Sequence, residues 1–279
     1  MSTAIAAYHG AFGRATVYQL NRPIKTHAHR EGHLIFNLAG PSSWGRTARG
    51  AALMNSETAA AVNPWEPHEF IPGDRHGGAR FLVLYISPGW FSEARRGADA
   101  PLRFGKPEFS VSPRIRMLIE CLRQALTGSG GASCLDSAIY DLTAASYAAS
   151  WQGVSQPDFA PRAADYTDFR VRKSIGLIAG RLGSLVELDD VARESGLSRP
   201  HFYKLFREQT GLTPHLYLNT LRMESAIERL TRTGQAVTEI GLDLGFATPS
   251  SFAKFFAGNA GIPPADYRRA SMVETVTQA

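Results

Sequence analysis

Cysteine is nearly missing from this chain. Cys121 and Cys134 are the two present among 279 residues, and they match no metal-ligand spacing and no disulfide framework. Both are expected as buried thiols in a reducing compartment. Long apolar runs are missing too. None approaches the ~18 residues that a membrane span needs, and the first residues, MSTAIAAYHGAFGRATVYQL, lack the basic-then-apolar pattern of an export signal. The chain is therefore expected to be cytoplasmic, with no membrane partner. A nucleophile elbow, a P-loop and a dinucleotide fingerprint are all lacking, which removes the commonest routes to hydrolysis, phosphoryl transfer and hydride transfer.

The remaining composition is ordinary. An apolar fraction of 44 % supports a packed core, and the length suits two domains of roughly 100–200 residues each. Lys and Arg exceed Asp and Glu by 30 to 25, but the excess is not concentrated. Residues 162–279 carry 15 basic against 13 acidic side chains, and the rest carry 15 against 12. If the chain binds nucleic acid, local placement of charge has to do it, because only a clustered patch focuses a field.

Three textures follow one another. Up to about Gly97, short apolar runs such as HLIFNLAG and RFLVLYISPG are broken by Gly and Pro, as in the strands and turns of a compact β fold. Between Ser112 and Trp151 the period becomes helical. Ile115, Leu118, Ile119, Leu122 and Leu126 form one stripe; after GSGGAS, Leu135, Ile139, Leu142 and Ser146 begin another, so an αα-hairpin is predicted. The first stripe is too apolar for a solvent-facing helix, and part of it is expected to pack against a second subunit. The segment SQPDFAPRAADY then reads as a linker.

The last hundred residues contain an internal repeat of about fifty residues. Phe202, Leu205 and Phe206 recur as Phe252, Phe255 and Phe256, Gly211-Leu212-Thr213-Pro214 as Gly261-Ile262-Pro263-Pro264, and Tyr217 as Tyr267. Each copy reads as a short helix, a glycine turn, a second helix and a Gly-x-x-Pro stop, which is a helix-turn-helix. At 100° per residue the second helix of each copy puts its Phe and Leu side chains on one face. Pro200, His201, Tyr203, Lys204 and Arg207 lie opposite in the first copy, and Ser250, Ser251 and Lys254 in the second. Ser198 is placed to cap the first of these helices. A charged outer face alone is usually only solvated. Two such faces in register within a repeated helix-turn-helix instead suit the major groove, where Lys reaches guanine and a hydroxyl serves base or phosphate. A helix from Pro214 to Arg232 joins the copies. It would span roughly 28 Å at 1.5 Å per residue, against roughly 34 Å between successive major-groove faces.

The stretch LDDVARESGLSRPHFYKLFREQTGLTPHLYLNTLRMESAIERL…VTEIGLDLGFATPSSFAKFFAGNAGIPPADYRR resembles the DNA-binding domain of the AraC/XylS family of bacterial regulators. The paired Gly-x-x-Pro stops, the GF turn and the terminal P-x-x-Y-R carry the likeness. The resemblance implies that Pro200, Tyr203, Lys204, Ser250, Ser251 and Lys254 occupy base-reading faces. It also implies that Ser198, Arg207 and Thr213 contact phosphate, which positions without specifying. Two departures stand out: Ala257 replaces a common cation, and Pro249 a frequent polar residue.

The likeness extends more weakly to the first half, implying a cupin-like, effector-sensing β-barrel followed by the helical hairpin. His27-Ala28-His29, with Glu31 and His33 nearby, and Pro64-Trp65-Glu66-Pro67-His68 are similar to the two cupin motifs. His-x-His on a strand points both imidazoles to one face, and His68 from a neighbouring strand would complete a metal triad with an open position. The spacing after His29 departs from the enzyme pattern, and the preferred reading is that these histidines line a pocket without metal. Trp44, Trp65, Phe70, Tyr85 and Trp90 are read as barrel core or pocket wall. The expected class is α+β: a cupin-like β-barrel with a helical hairpin, then an all-α domain of two helix-turn-helix units joined by a long helix. Boundaries are placed at 1–110 for the barrel, 111–153 for the hairpin, 154–168 for the linker and 169–272 for the DNA-binding region. The expected function is non-enzymatic, cofactor-free transcription regulation. Its partners are double-stranded operator DNA, a small-molecule effector, a second copy of the chain and, for an activator, RNA polymerase. The alternative is a metal-dependent cupin enzyme fused to a DNA-binding domain, and metal content separates the two.

Overall fold

The computed structural model describes residues 2–74, 77–94, 102–127, 135–155, 167–183 and 185–271. The GSGGAS turn, Cys134 and nearly all of the expected linker lie outside the described residues. Two compact units are present, residues 1–161 together with 260–279, and residues 162–259.

Among the described residues the first unit holds ten strands: β1 (Thr3–Gly10), β2 (Gly13–Leu20), β3 (Ile24–His27), β4 (Gly32–Ala39), β5 (Ser43–Thr47), β6 (Gly50–Met54), β7 (Thr58–Val62), β8 (His68–Ile71), β9 (Ala79–Ile86) and β10 (Glu108–Ser110). They form two antiparallel sheets, in the orders β1-β2-β9-β4-β7-β10 and β3-β8-β5-β6. The expected barrel thus takes the form of two facing sheets whose hydrogen-bonded ladders do not close into one.

The apolar runs in this half of the sequence have a simple cause. Strands β4 and β9 are covered on both faces, so neither alternates with polar residues. Successive side chains point to opposite sides. Leu34, Phe36, Leu82, Leu84 and Ile86 pack in one core with Ile115, Leu122, Ile139 and Leu142 of the two hairpin helices. The intervening residues face the second sheet: Phe81 meets Phe70 edge-on at 5.3 Å, and His33 and Tyr85 lie among the histidines of β3 and β8. A helix α1 (Pro88–Ala94) follows β9, and the hairpin comprises α2 (Pro113–Thr127) and α3 (Leu135–Ser150).

Two sequence expectations change here. Ile115, Leu118, Ile119 and Leu122 are buried within the chain's own core. An amphipathic stripe shows that a face is covered but not by what, and its own sheet and α3 cover this one. Cys121, expected to be buried, is exposed.

The second unit starts with a helix that the sequence patterns do not announce, α4 (Phe169–Gly180). The Asp168 carboxylate caps it, accepting the Arg170 N–H at 2.9 Å. Then come α5 (Leu188–Glu194) and α6 (Arg199–Thr210), the long α7 (Pro214–Arg232), and α8 (Val237–Asp243) and α9 (Pro249–Ala260). Glycines sit where the repeat puts them. Gly196 and Gly245 adopt φ of 74° and 78° in the two turns, and Gly211 ends α6 at φ 78°, a region that side-chain-bearing residues avoid. A fourth site needs glycine for a different reason. A Cβ on Gly241 would lie 2.7 Å from Cβ of Phe252, so α8 can approach α9 only without a side chain there. The last described helix, α10 (Pro264–Ala270), belongs to the first unit and packs on β1 with Tyr267 fully buried.

Candidate DNA interface and a histidine cluster

Helices α6 and α9 repeat not only in sequence but in environment. From His201 to Phe206, and again from Ser251 to Phe256, the order of exposure is the same: exposed, buried, half-buried, exposed, half-buried, buried. Phe202 and Phe206 are fully buried, as are Phe252 and Phe256. The rings interlock at centroid distances of 5.6 Å and 6.0 Å. Leu205 and Phe255, expected in the core, are only half-buried. The anchored side leaves Pro200, His201, Lys204 and Arg207 exposed on α6, and Ser250, Ser251 and Lys254 on α9, with Tyr203 half-buried.

Lys204 is held loosely. Its ammonium lies 3.9 Å from the Glu208 carboxylate, and both side chains are more than half exposed. Such a pair contributes little and leaves the cation available. Ser198 occupies the N-cap position of α6, but its hydroxyl makes no capping bond. It is exposed instead. The Thr213 hydroxyl does cap, accepting the Leu216 N–H of α7 at 3.2 Å, which leaves its own proton to donate. Arg199 carries no signal in the sequence, yet it has a structural part. It pairs with Asp189 of α5 at 3.0 Å and lies 5.8 Å from the Tyr203 ring centroid, tying the first helix of the unit to the second. In the second copy Pro249 opens α9, a position where the missing N–H costs nothing.

In the first unit, the two histidine motifs meet. His27, at the end of β3, is paired in register with His68, at the start of β8. His29 lies just past the strand rather than on it, yet its ring centroid is 4.9 Å from that of His27 and 5.3 Å from that of His68. His33 of β4 joins them, with Nδ1 3.2 Å from Nε2 of His68. All four side chains are buried. Burial pushes the His68 imidazole down to about 4 and holds the other three well below the usual histidine range; mutual repulsion between protonated rings adds to this for those three. Each ring is therefore neutral at pH 7.

The loop before His68 is fixed by a dense set of polar contacts. The Trp65 N–H donates to the His29 carbonyl at 2.7 Å, holding Trp65 at φ 61°, outside the usual range for such a side chain. Arg49 Nε donates to both Glu66 oxygens at 2.9 and 3.0 Å, and its remaining nitrogens donate to the carbonyls of Ala61, Phe104 and Gly105. Glu31, close to the histidines in sequence, turns away to Arg14 at 3.2 Å, and Arg14 lies 3.6 Å over the Tyr85 ring.

These features define a protein with two helix-turn-helix units and a separate β domain carrying a buried polar interior. Residues 191–270 match the family model described as a helix-turn-helix domain, and residues 13–143 match that of an AraC-like ligand binding domain. The HTH-type transcriptional activator AarP of Providencia stuartii is 35 % identical over 91 residues, which is 33 % of this chain and 67 % of that protein. The lactose operon transcription activator of Staphylococcus xylosus is 28 % identical over 104 residues, 37 % of either chain. Among solved structures, ToxT of Vibrio cholerae with an unsaturated fatty acid bound shares the fold at a TM-score of 0.60 and 13 % identity, covering 94 % of this chain and 96 % of that one. The chain belongs to the AraC/XylS family of transcription regulators. The matched stretch spans about a third of the length of several of these relatives. These relatives are named as regulators, which leaves the enzyme reading without support. Among the described residues, no helix is long and apolar enough to cross a membrane.

Proposed function

We propose that this protein regulates transcription from the cytoplasm by placing α6 and α9 in neighbouring major grooves of an operator, under control of a small molecule bound in the β domain. The observation that carries the reading is the shared pattern of burial on α6 and α9, which leaves Lys204 and Lys254 exposed at equivalent positions. Pro200, His201, Tyr203, Lys204, Ser250, Ser251 and Lys254 face bases; Ser198, Arg207 and Thr213 face phosphates. As an activator it would also contact RNA polymerase.

Base and phosphate contacts respond differently to mutation, which supplies the test. Lys204→Ala and Lys254→Ala are each expected to weaken operator binding by about 1–3 kcal/mol and to relax preference at one base position. Arg207→Ala should weaken all duplexes alike and flatten the dependence on salt. Anisotropy titrations with operator and scrambled duplexes at several salt concentrations distinguish these outcomes. Lys204→Ala behaving as Arg207→Ala would place that lysine on the backbone.

A homodimer completes the reading. With the inner stripe of α2 occupied, the surface that remains is its outer face, where Met117 is 59 % exposed. Met117→Glu is expected to halve the mass seen in sedimentation with no fall in melting temperature. An unchanged mass would remove that face from the assembly.

A further inference from the structure

We propose that the two helix-turn-helix units read DNA unequally: α6 discriminates several base pairs, whereas α9 discriminates one, through Lys254. The inference rests on the operator-binding reading above and divides its specificity between the copies. Aligning Phe202 with Phe252 sets each outward side chain of α6 against one of α9, and the chemistry differs at most of the pairs. Arg199, His201, Tyr203, Arg207 and Glu208 stand where α9 has Pro249, Ser251, Ala253, Ala257 and Gly258. Lys254 is the one charged residue in the α9 sequence, PSSFAKFFAGNA.

Hydrogen bonding narrows α9 further. The Ser251 hydroxyl donates to the Thr248 carbonyl at 2.7 Å and accepts the Thr248 N–H at 3.3 Å. In return the Thr248 hydroxyl accepts the Ser251 N–H at 3.1 Å, a reciprocal arrangement that closes the start of the helix. A hydroxyl has one proton, and Ser251 already gives it within the protein. Asn259 is turned back on its own helix too, its amide donating to the Phe255 carbonyl at 2.7 Å. Ser250 and Lys254 remain. A serine hydroxyl serves as donor or acceptor and so separates bases poorly, while a lysine selects guanine.

The start of α6 is built differently. Ser198 makes no capping bond, and His201, in the place of Ser251, is exposed. Tyr203 is flanked by Arg199, whose guanidinium carbon lies 5.8 Å from the ring centroid and which pairs with Asp189 at 3.0 Å. A side chain restrained before binding loses less freedom on contact. His201, Tyr203 and Lys204 thus offer an imidazole, a phenol and an ammonium to the groove. Of these three, α9 matches the ammonium alone.

The test selects from a pool of random-sequence duplexes with the full-length protein, and again with Lys204→Ala, Lys254→Ala and Ser251→Ala. Each lysine variant marks the block of the wild-type motif that its helix reads, because one position there loses its preference. The α6 block is expected to hold three or more constrained positions and the α9 block one. A base change at a constrained position should lower affinity about 5- to 150-fold, equivalent to about 1–3 kcal/mol. Elsewhere in the α9 block the change should stay within about twofold, as for a surface that meets only the backbone. Ser251→Ala should keep every base preference and lower the melting temperature slightly. Three results would overturn the inference while keeping the operator reading: an α9 block as long as the α6 block, a lysine variant whose motif equals that of the wild type, or a base position lost in Ser251→Ala. A pool in which no motif is enriched overturns the operator reading itself, and the inference with it.

Discussion

Phe206→Ala is expected to destabilise the DNA-binding unit strongly while leaving the β domain intact. The Phe206 ring is fully buried, with centroids 5.6 Å from Phe202 and 5.5 Å from Tyr217 of α7. It thus fastens the recognition helix of the first copy to the helix that joins the copies. Truncating a buried phenylalanine to alanine costs about 3–5 kcal/mol, through lost burial and the cavity left behind. A domain of this size has a total stability of only about 5–15 kcal/mol. Urea unfolding followed by circular dichroism should show the helical transition moving to lower denaturant, and operator affinity should fall for all sequences together. Phe206→Leu, which keeps most of the volume, should retain most of both. A Phe206→Ala protein with an unchanged midpoint would mean that α6 is not seated through this ring.

Arg49→Ala is the second large effect, and it falls on the other unit. The guanidinium holds Glu66, whose side chain is 9 % exposed, and it donates to three backbone carbonyls, that of Ala61 in β7 and those of the neighbours Phe104 and Gly105. Removing it takes the counter-charge from a carboxylate that keeps the Asn63 N–H at 2.9 Å, and takes one donor from each of three carbonyls. Breaking a buried ion pair from one side costs about 3–5 kcal/mol, because the remaining charge is stranded. Glu66→Gln in the same chain removes that charge and should recover part of the loss, so the two changes are expected to be non-additive in a double-mutant cycle. The measurement is the unfolding free energy of the β domain for the two single variants, the double variant and wild type. Strict additivity would show that Arg49 acts through its carbonyl contacts alone.

The two units differ in how far their sequences foretell them. In the DNA-binding unit, the information is local. Glycine at left-handed positions, proline at helix starts and phenylalanine at helical spacing all act within a few residues of themselves, and the repeat supplies each signal twice. Even there, spacing assigns Leu205 and Phe255 to the core although they are half-buried, because periodicity gives the direction of a side chain but not the depth of its cover. The free hydroxyl of Ser198 shows the same limit: residue type places a cap, while the bond depends on a rotamer. Helix α4 escapes a pattern reading because it follows a polar segment and its narrow buried face, Val171, Ser174 and Ile178, includes a serine.

In the β domain, the chemistry depends on register. Spacing singles out His27, His29 and His68, but His33 is brought to them by β4, a strand of the opposite sheet. A shift of one residue would have turned it toward the hairpin helices. The partners of Arg14 and Arg49 are each 17 residues away, across strand connections whose geometry no short-range rule determines.

What the sequence by itself determined about this protein is the class of its second half: two helix-turn-helix units, their joining helix and the side chains facing outward. These follow from patterns that repeat every three or four residues along one chain segment. The tertiary structure alone decided what covers the apolar stripe of α2, and that four imidazoles share one buried site. Both depend on which surfaces meet when sheets and helices stack. Such meetings are set by the packing of the whole domain, because a side chain's direction within its own element does not identify its neighbour across the core.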